Sequence, residues 1–263
     1  MRAYAAILSA RFRTLLQYRA AAVAGFGTQL FWGLIRVMIF QAFYRASTQP
    51  QAISLPQVVD YVWLGQAMFA LLPWGVDLEV GAMIRSGTVV YELLRPLDLY
   101  SLWFSRALAA RTAPTLLRAA PVFVVAGLFF GLRPPASLAS AGAWLTAMLG
   151  AVLLSSAMST MFTVCMLWTI SGEGIMQLTT AGVFLLSGIS VPLPLFPDWA
   201  QTVINLLPFR GLVDVPARLY SGNLPPAAAW GQLAQQLLWT LAFVAVGRYL
   251  LTRAARKLVV QGG

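Results

Sequence analysis

No charged side chain occurs from residue 134 to residue 172, and between Arg133 and Asp198 the chain carries only Glu173. Such a run excludes an ordinary soluble fold. A water-facing surface needs charge, roughly 25% of residues in a soluble domain. Here 10% of the 263 residues are charged and 59% are hydrophobic, at a mean hydropathy of +0.75. Lipid must therefore cover most of the chain. A spanning helix takes about 20 apolar residues, so the length holds about six spans and leaves no room for a soluble catalytic domain. The reading is an all-α polytopic membrane protein, a single transmembrane domain over residues 1–263.

The net charge is +10, and every basic residue but Lys257 is an arginine. In lipid, this marks the cytoplasmic side of the membrane rather than nucleic-acid binding. The chain has one cysteine, Cys165, and no histidine, so there is no disulfide framework and the commonest general base and metal ligand are missing. No phosphate-binding G-x-x-x-x-G-K-[ST] loop and no Cys/His metal cluster is present. Asp77 and Glu79 are two apart and do not face each other on a helix, so they form no acid–base pair by spacing. No catalytic residue, metal or bound cofactor is expected.

Residues 1–19 read as an amphipathic interfacial helix or as an extension of the first span. Its stripe is Ala3, Ile7, Ala10, Thr14 and Tyr18, with Leu8, Phe12, Leu15 and Leu16 beside it. Arg2, Arg11, Arg13 and Arg19 turn to the headgroups. The apolar run that follows is too long for a signal peptide. The spans expected are 20–44, 58–76, a third with its clean part at 119–132, 141–168, a fifth from about 175, and 229–250. Arg36 reads either as an anchor snorkelling to the outer interface or as a substrate ligand. Pro73 should kink the second span, and Pro114 and Pro121 interrupt the third. Arg111 and Arg118 share a face; Arg118 either snorkels or contributes to a basic face lining a conduit. Ser155, Ser159 and Thr163 recur every fourth residue, either for tight helix packing or as a hydroxyl-lined pathway. A tight turn is expected at 171–174. The fifth span should break at Ser187-Gly188 and again at prolines 192, 194 and 197. Residues 192–225 then read as an external re-entrant hairpin split by Pro208.

The charged island at 77–106 lies between these apolar segments. It should divide into a helix from Leu78 to Arg85, capped at Ser86-Gly87, and a second one ending at Pro96. Val89, Val90, Leu93, Leu94 and Leu97 would form the apolar side of the second helix, and Tyr91, Glu92 and Arg95 its water-facing polar side. Counting basic residues, twelve fall on this side of the membrane and four on the other, which places both termini in the cytoplasm.

Three stretches resemble the permease subunits of ABC-2 type transporters, in particular the compact six-span bacterial group. They are LQYRA at 16–20, IRSGTVVYELLRPLD at 84–98, and SGISVPLPLFPDW at 187–199 followed by LPF at 207–209. The resemblance covers nearly the whole chain. It implies an exporter in the bacterial inner membrane, built from two permeases, identical or related, over two separate ABC ATPase subunits that hold ATP and Mg. It implies that Gly87, Tyr91, Glu92, Leu93, Leu94, Arg95 and Pro96 form the coupling helix that fits the ATPase groove. Some relatives resemble exporters of cationic drugs. A stand-alone secondary transporter or channel is the alternative.

Overall fold

The structure, a computed structural model, describes residues 2–169 and 173–256. The turn expected at Ser171-Gly172 and the basic Lys257 fall outside the described residues. Among the described residues every regular element is helical. The α-helices are α1 (Arg2–Leu16), α2 (Arg19–Ala46), α3 (Leu55–Ala67), α4 (Leu78–Ser86), α5 (Val90–Leu93), α6 (Leu99–Phe129), α7 (Leu138–Cys165), α8 (Glu173–Leu186), α9 (Asp198–Leu206), α10 (Asp214–Tyr220) and α11 (Ala229–Ala255). Four of them, α2, α6, α7 and α11, are long and apolar enough to cross a membrane.

Helix α7 is the centre of the bundle. Of its apolar window 56% is buried, against 22% in each of the other three, so those three keep a broad side for lipid. It packs most extensively on α11. There Gln236 is buried and donates to the carbonyls of Ala147 (3.1 Å) and Gly211 (2.7 Å). A Cβ at Gly150 would collide with that amide, so the glycine permits the close approach that polar bridging between helices in lipid requires.

The expected second span is where the structure departs most from the sequence reading. Its helix stops at Ala67; a 3₁₀ turn follows at Phe69–Leu71, and Leu72 is extended. The cause is Pro73, which pushes the residue before it out of the α region; it breaks the helix rather than kinking it. The segment still runs the length of the bundle. Asp60 bonds Arg133, just beyond the end of α6, while Asp77 bonds Arg106 near its start. From Arg106 to Phe129 is about 35 Å at 1.5 Å per residue. Non-helical backbone can rise farther per residue than helix, so thirteen helical residues, the 3₁₀ turn and the irregular residues 72–77 together cover the distance.

By contrast, Pro114 and Pro121 lie inside an unbroken α6; neighbouring helices let a proline persist there. The expected fifth span appears as α8, fourteen residues ending at Ser187-Gly188, where Gly188 has φ +91°. Beyond it, the two short pieces expected around Pro208 are α9 and α10. Helix α10 is buried on α3 and α7, whereas α9 leaves Trp199, Val203 and Leu206 exposed.

Two further expectations are corrected. In α1, Tyr4, Ile7, Leu8, Ser9, Arg11, Phe12, Leu15 and Leu16 are half-buried, so the expected flank of Leu8, Phe12, Leu15 and Leu16 packs inward with Ile7, whereas Ala3, Ala10, Thr14 and Tyr18 of the expected stripe are exposed. Arg11 turns inward, away from any headgroup layer, because Glu79 is there to receive it. Arg36 does not snorkel outward either. Its guanidinium donates to the Ile189 carbonyl in the irregular stretch after α8.

Candidate functional site at the charged end of the bundle

The platform begins with Asp77. Its Oδ1 caps α4 by accepting from the Glu79 (3.0 Å) and Val80 (3.2 Å) N–H groups, and its Oδ2 accepts from Arg106 Nε at 3.0 Å. Arg106 Nη2 also reaches Glu79 Oε2 at 2.6 Å, while Arg11 Nη2 donates to Glu79 Oε1 at 2.6 Å. One chain of charge therefore ties α1, α4 and α6. The bond from Arg11, against a partial burial that raises it, and the bond from Arg106 hold the Glu79 carboxyl below its ordinary range.

A second tie lies at Asp98, the N-cap of α6. It accepts from Ser101 N–H at 2.9 Å and pairs with Arg248 of α11 at 3.1 Å, and its own N–H donates to the Tyr4 hydroxyl of α1 at 2.8 Å. Burial pushes its carboxyl up, but Ser101 and Arg248 leave it below the ordinary value. Helices α1, α4 and α11 are thus pinned to α6 at this end.

Between the two ties the chain protrudes. Gly87 closes α4 in the left-handed conformation, φ +75°, with open space where a side chain would be. Helix α5 follows as a single turn, Val90–Leu93. Its faces are not those expected. Glu92 is buried at 6% exposure and accepts from the Trp103 indole N–H at 2.7 Å, beside buried Val89. Tyr91 (69%) and Leu94 (75%) are exposed, with Leu93, Arg95 and Pro96. The indole N–H decides this: a buried donor without a partner costs about 1–3 kcal/mol, and Glu92 is the acceptor within reach. The outward surface is a Tyr–Leu knob with one arginine.

The other expected site residues hold the broken segment. Arg111 donates to the Leu72 carbonyl (2.8 Å) and to Ser159 Oγ (2.7 Å). Ser155 donates to the Leu71 carbonyl, and Thr163 accepts from the Asp77 N–H at 3.0 Å. All three hydroxyl residues are buried. They satisfy backbone groups that the interrupted helix leaves without partners, as buried irregular backbone requires. Arg118 is apart from this group. It lies on α2 over Gly25, where a Cβ would meet its guanidinium at 2.6 Å.

Sequence reasoning missed the ion pairs at the opposite end. Asp60, 1% exposed, accepts from Arg133 Nη2 at 2.6 Å and from its backbone N–H at 2.9 Å. Buried Asp214 accepts from Tyr61 at 3.1 Å, with Arg218 at 3.5 Å and Arg210 at 3.8 Å. Partners 73 and 153 residues apart leave no local signal; only Arg210 and Arg218, each four residues from Asp214, were legible as a set.

No curated protein and no solved structure matches the chain. The family described as ABC-2 family transporter protein matches residues 30–262. That range takes in the protruding loop, the interrupted segment 55–77 and the segment after α8. A polytopic helical membrane protein that matches the family over nearly its whole length is a transport permease, and the chain belongs to the ABC-2 transporter family.

Proposed function

We propose that this chain is the permease subunit of an ATP-driven exporter. It would cross the bacterial inner membrane six times with both termini in the cytoplasm, the broken segment 55–77 and α8 serving as second and fifth crossings, and residues 192–225 as the external re-entrant region. A second permease, identical or related, completes the path, and separate ABC ATPase subunits bind ATP and Mg. The observation that carries the reading is the knob at 87–96. It exposes Tyr91 and Leu94 at the charged end while buried Glu92 holds it to α6. Exposed apolar residues on a rigidly anchored turn suit a groove on a partner.

Arg111, Ser155, Ser159 and Thr163 are assigned to holding the break rather than to touching cargo. Movement of the knob acts on Asp77, and through the irregular residues 72–76 on the middle of the bundle. The test is co-reconstitution with an ABC ATPase subunit from the same source. A Leu94→Cys chain with Cys165 replaced by Ser should crosslink to that ATPase, and vesicle transport should require ATP. Transport at an equal rate without the ATPase would instead establish a stand-alone carrier or channel.

A further inference from the structure

A cleft of about 300 Å³ opens between α2, the end of α3 and α8, lined by Gln29, Trp32, Arg36, Gln66, Phe69 and Phe184. Two features mark it as built for a ligand. Gln29 is 3% exposed, yet neither its side-chain oxygen nor its nitrogen has a hydrogen-bond partner. A buried amide left so is costly unless something else bonds it. Arg36 contacts only neutral acceptors. These are the Ile189 carbonyl and, with the amide turned to suit its neighbours, Gln66 Oε1 at 3.1 Å. It makes no ion pair among the described residues. An uncompensated guanidinium within a spanning helix calls for an anion. Apart from Thr28, whose hydroxyl is bonded to the Ala24 carbonyl, the rest of the lining is Trp32, Phe69 and Phe184 and calls for an apolar body.

We infer that this cleft binds an amphipathic anion, a carboxylate, sulfonate or phosphate on an apolar frame, with the head on Arg36 and Gln29 and the frame against Trp32, Phe69 and Phe184. As the cargo site it rests on the export reading; as a binding site it does not. A cation is disfavoured because Arg36 would repel it at short range.

The full chain in phosphatidylcholine nanodiscs, with empty discs as blank, is dialysed against 2-naphthalenesulfonate, 2-naphthylmethylammonium and neutral 2-naphthalenemethanol. The sulfonate should bind saturably and at least about tenfold tighter than the others, the scale of a charge-assisted contact. Arg36→Gln should abolish that preference, Arg36→Lys should keep it, and Arg45→Gln should change nothing. Equal binding of the three probes, or a preference that survives Arg36→Gln in a chain that melts like wild type, overturns the inference. If Arg36→Gln does not fold, a photoreactive azido-naphthalenesulfonate on the wild-type chain decides. Labelling of Trp32, Phe69 or Phe184 supports the site, and labelling confined elsewhere overturns it. Displacement by phosphatidylglycerol in the discs would make a lipid headgroup the natural anion, and lack of displacement a solute; both support the class. Sulfonate preference without ATP-driven transport would sink the export reading and leave the site. ATP-driven transport without the preference would do the reverse.

Discussion

Two adjacent parts of one turn should respond in opposite ways to substitution. Tyr91 and Leu94 are 69% and 75% exposed. Truncating them removes little from the isolated permease, within about 0.5 kcal/mol for surface positions. Burying such side chains in a partner's groove is worth about 1.5–3 kcal/mol each when complete. Scaled to the surface still open, the pair supplies roughly 2–4 kcal/mol, or about 30- to 1,000-fold in affinity. Glu92, one residue from Tyr91, is the reverse case. Glu92→Ala strands the buried Trp103 N–H, now 2.7 Å from the carboxylate, and should cost the permease about 1–3 kcal/mol. Glu92→Gln keeps an acceptor and should cost less. The assay is paired: thermal melting of the purified permease, and its affinity for the ATPase measured by interferometry. Tyr91→Ala/Leu94→Ala should leave melting unchanged and collapse affinity, while Glu92→Ala should lower melting first. If the double variant binds the ATPase as tightly as wild type, the knob is not the docking surface.

Three further outcomes follow from single contacts. Gly188→Ala should cost about 2–5 kcal/mol, read as lost yield and melting temperature, because φ is +91° and the new Cβ would strike the Tyr61 hydroxyl. Arg133→Gln leaves Asp60 buried without its partner and should cost about 2–3 kcal/mol, below the value for a fully enclosed pair because Arg133 is half open; Asp60→Asn added to it should restore most of the loss in a double-mutant cycle. The Glu79 carboxyl is lowered from 4.5 in the folded chain. Its contribution is therefore complete above that value and is lost as pH falls through the lowered one. Melting should fall with acid below about pH 4.5, and Glu79→Gln should flatten that limb; an unchanged profile would remove Arg11 and Arg106 from the account.

What was legible in the sequence followed local rules. The charge-free run announced α7, the Gly87 cap and the Ser187-Gly188 break needed only glycine's freedom, and Pro208 divided α9 from α10. What was not legible depended on distant partners. Glu92 reads as the polar side of a short helix until Trp103, eleven residues on, is seen to take it inward. Arg36 reads as an outer anchor until the irregular chain at Ile189 supplies a carbonyl at its level. The two prolines of α6 and Pro73 look alike in sequence. They differ because Arg111, Ser155 and Thr163 stand ready to bond the groups freed near Pro73, so breaking there costs little, whereas α6 is held straight along both flanks.

That support also explains why the break lies where it does. Residues 73–76 lie in no helix; they run into Asp77, within the charged network, at one end and into Leu71 and Leu72, held by α7 and α6, at the other. A helix there could absorb a push by bending its hydrogen-bond ladder. The irregular stretch, turned at Pro73 by the bond from the Trp74 N–H to the Leu72 carbonyl, is tethered at both ends, and Phe69, in the 3₁₀ turn before it, lines the cleft beside Gln66 and Arg36. Knob, irregular stretch and cleft are thus one covalent run of fewer than thirty residues from Gln66 to Leu94. Contiguity alone does not make it a lever; the bonds that hold Asp77 and Leu72 to α6 and α7 make the expected outcome specific, that a shift of Asp77 is felt at Leu72, and cysteine crosslinking of the two ends to their helices would check it.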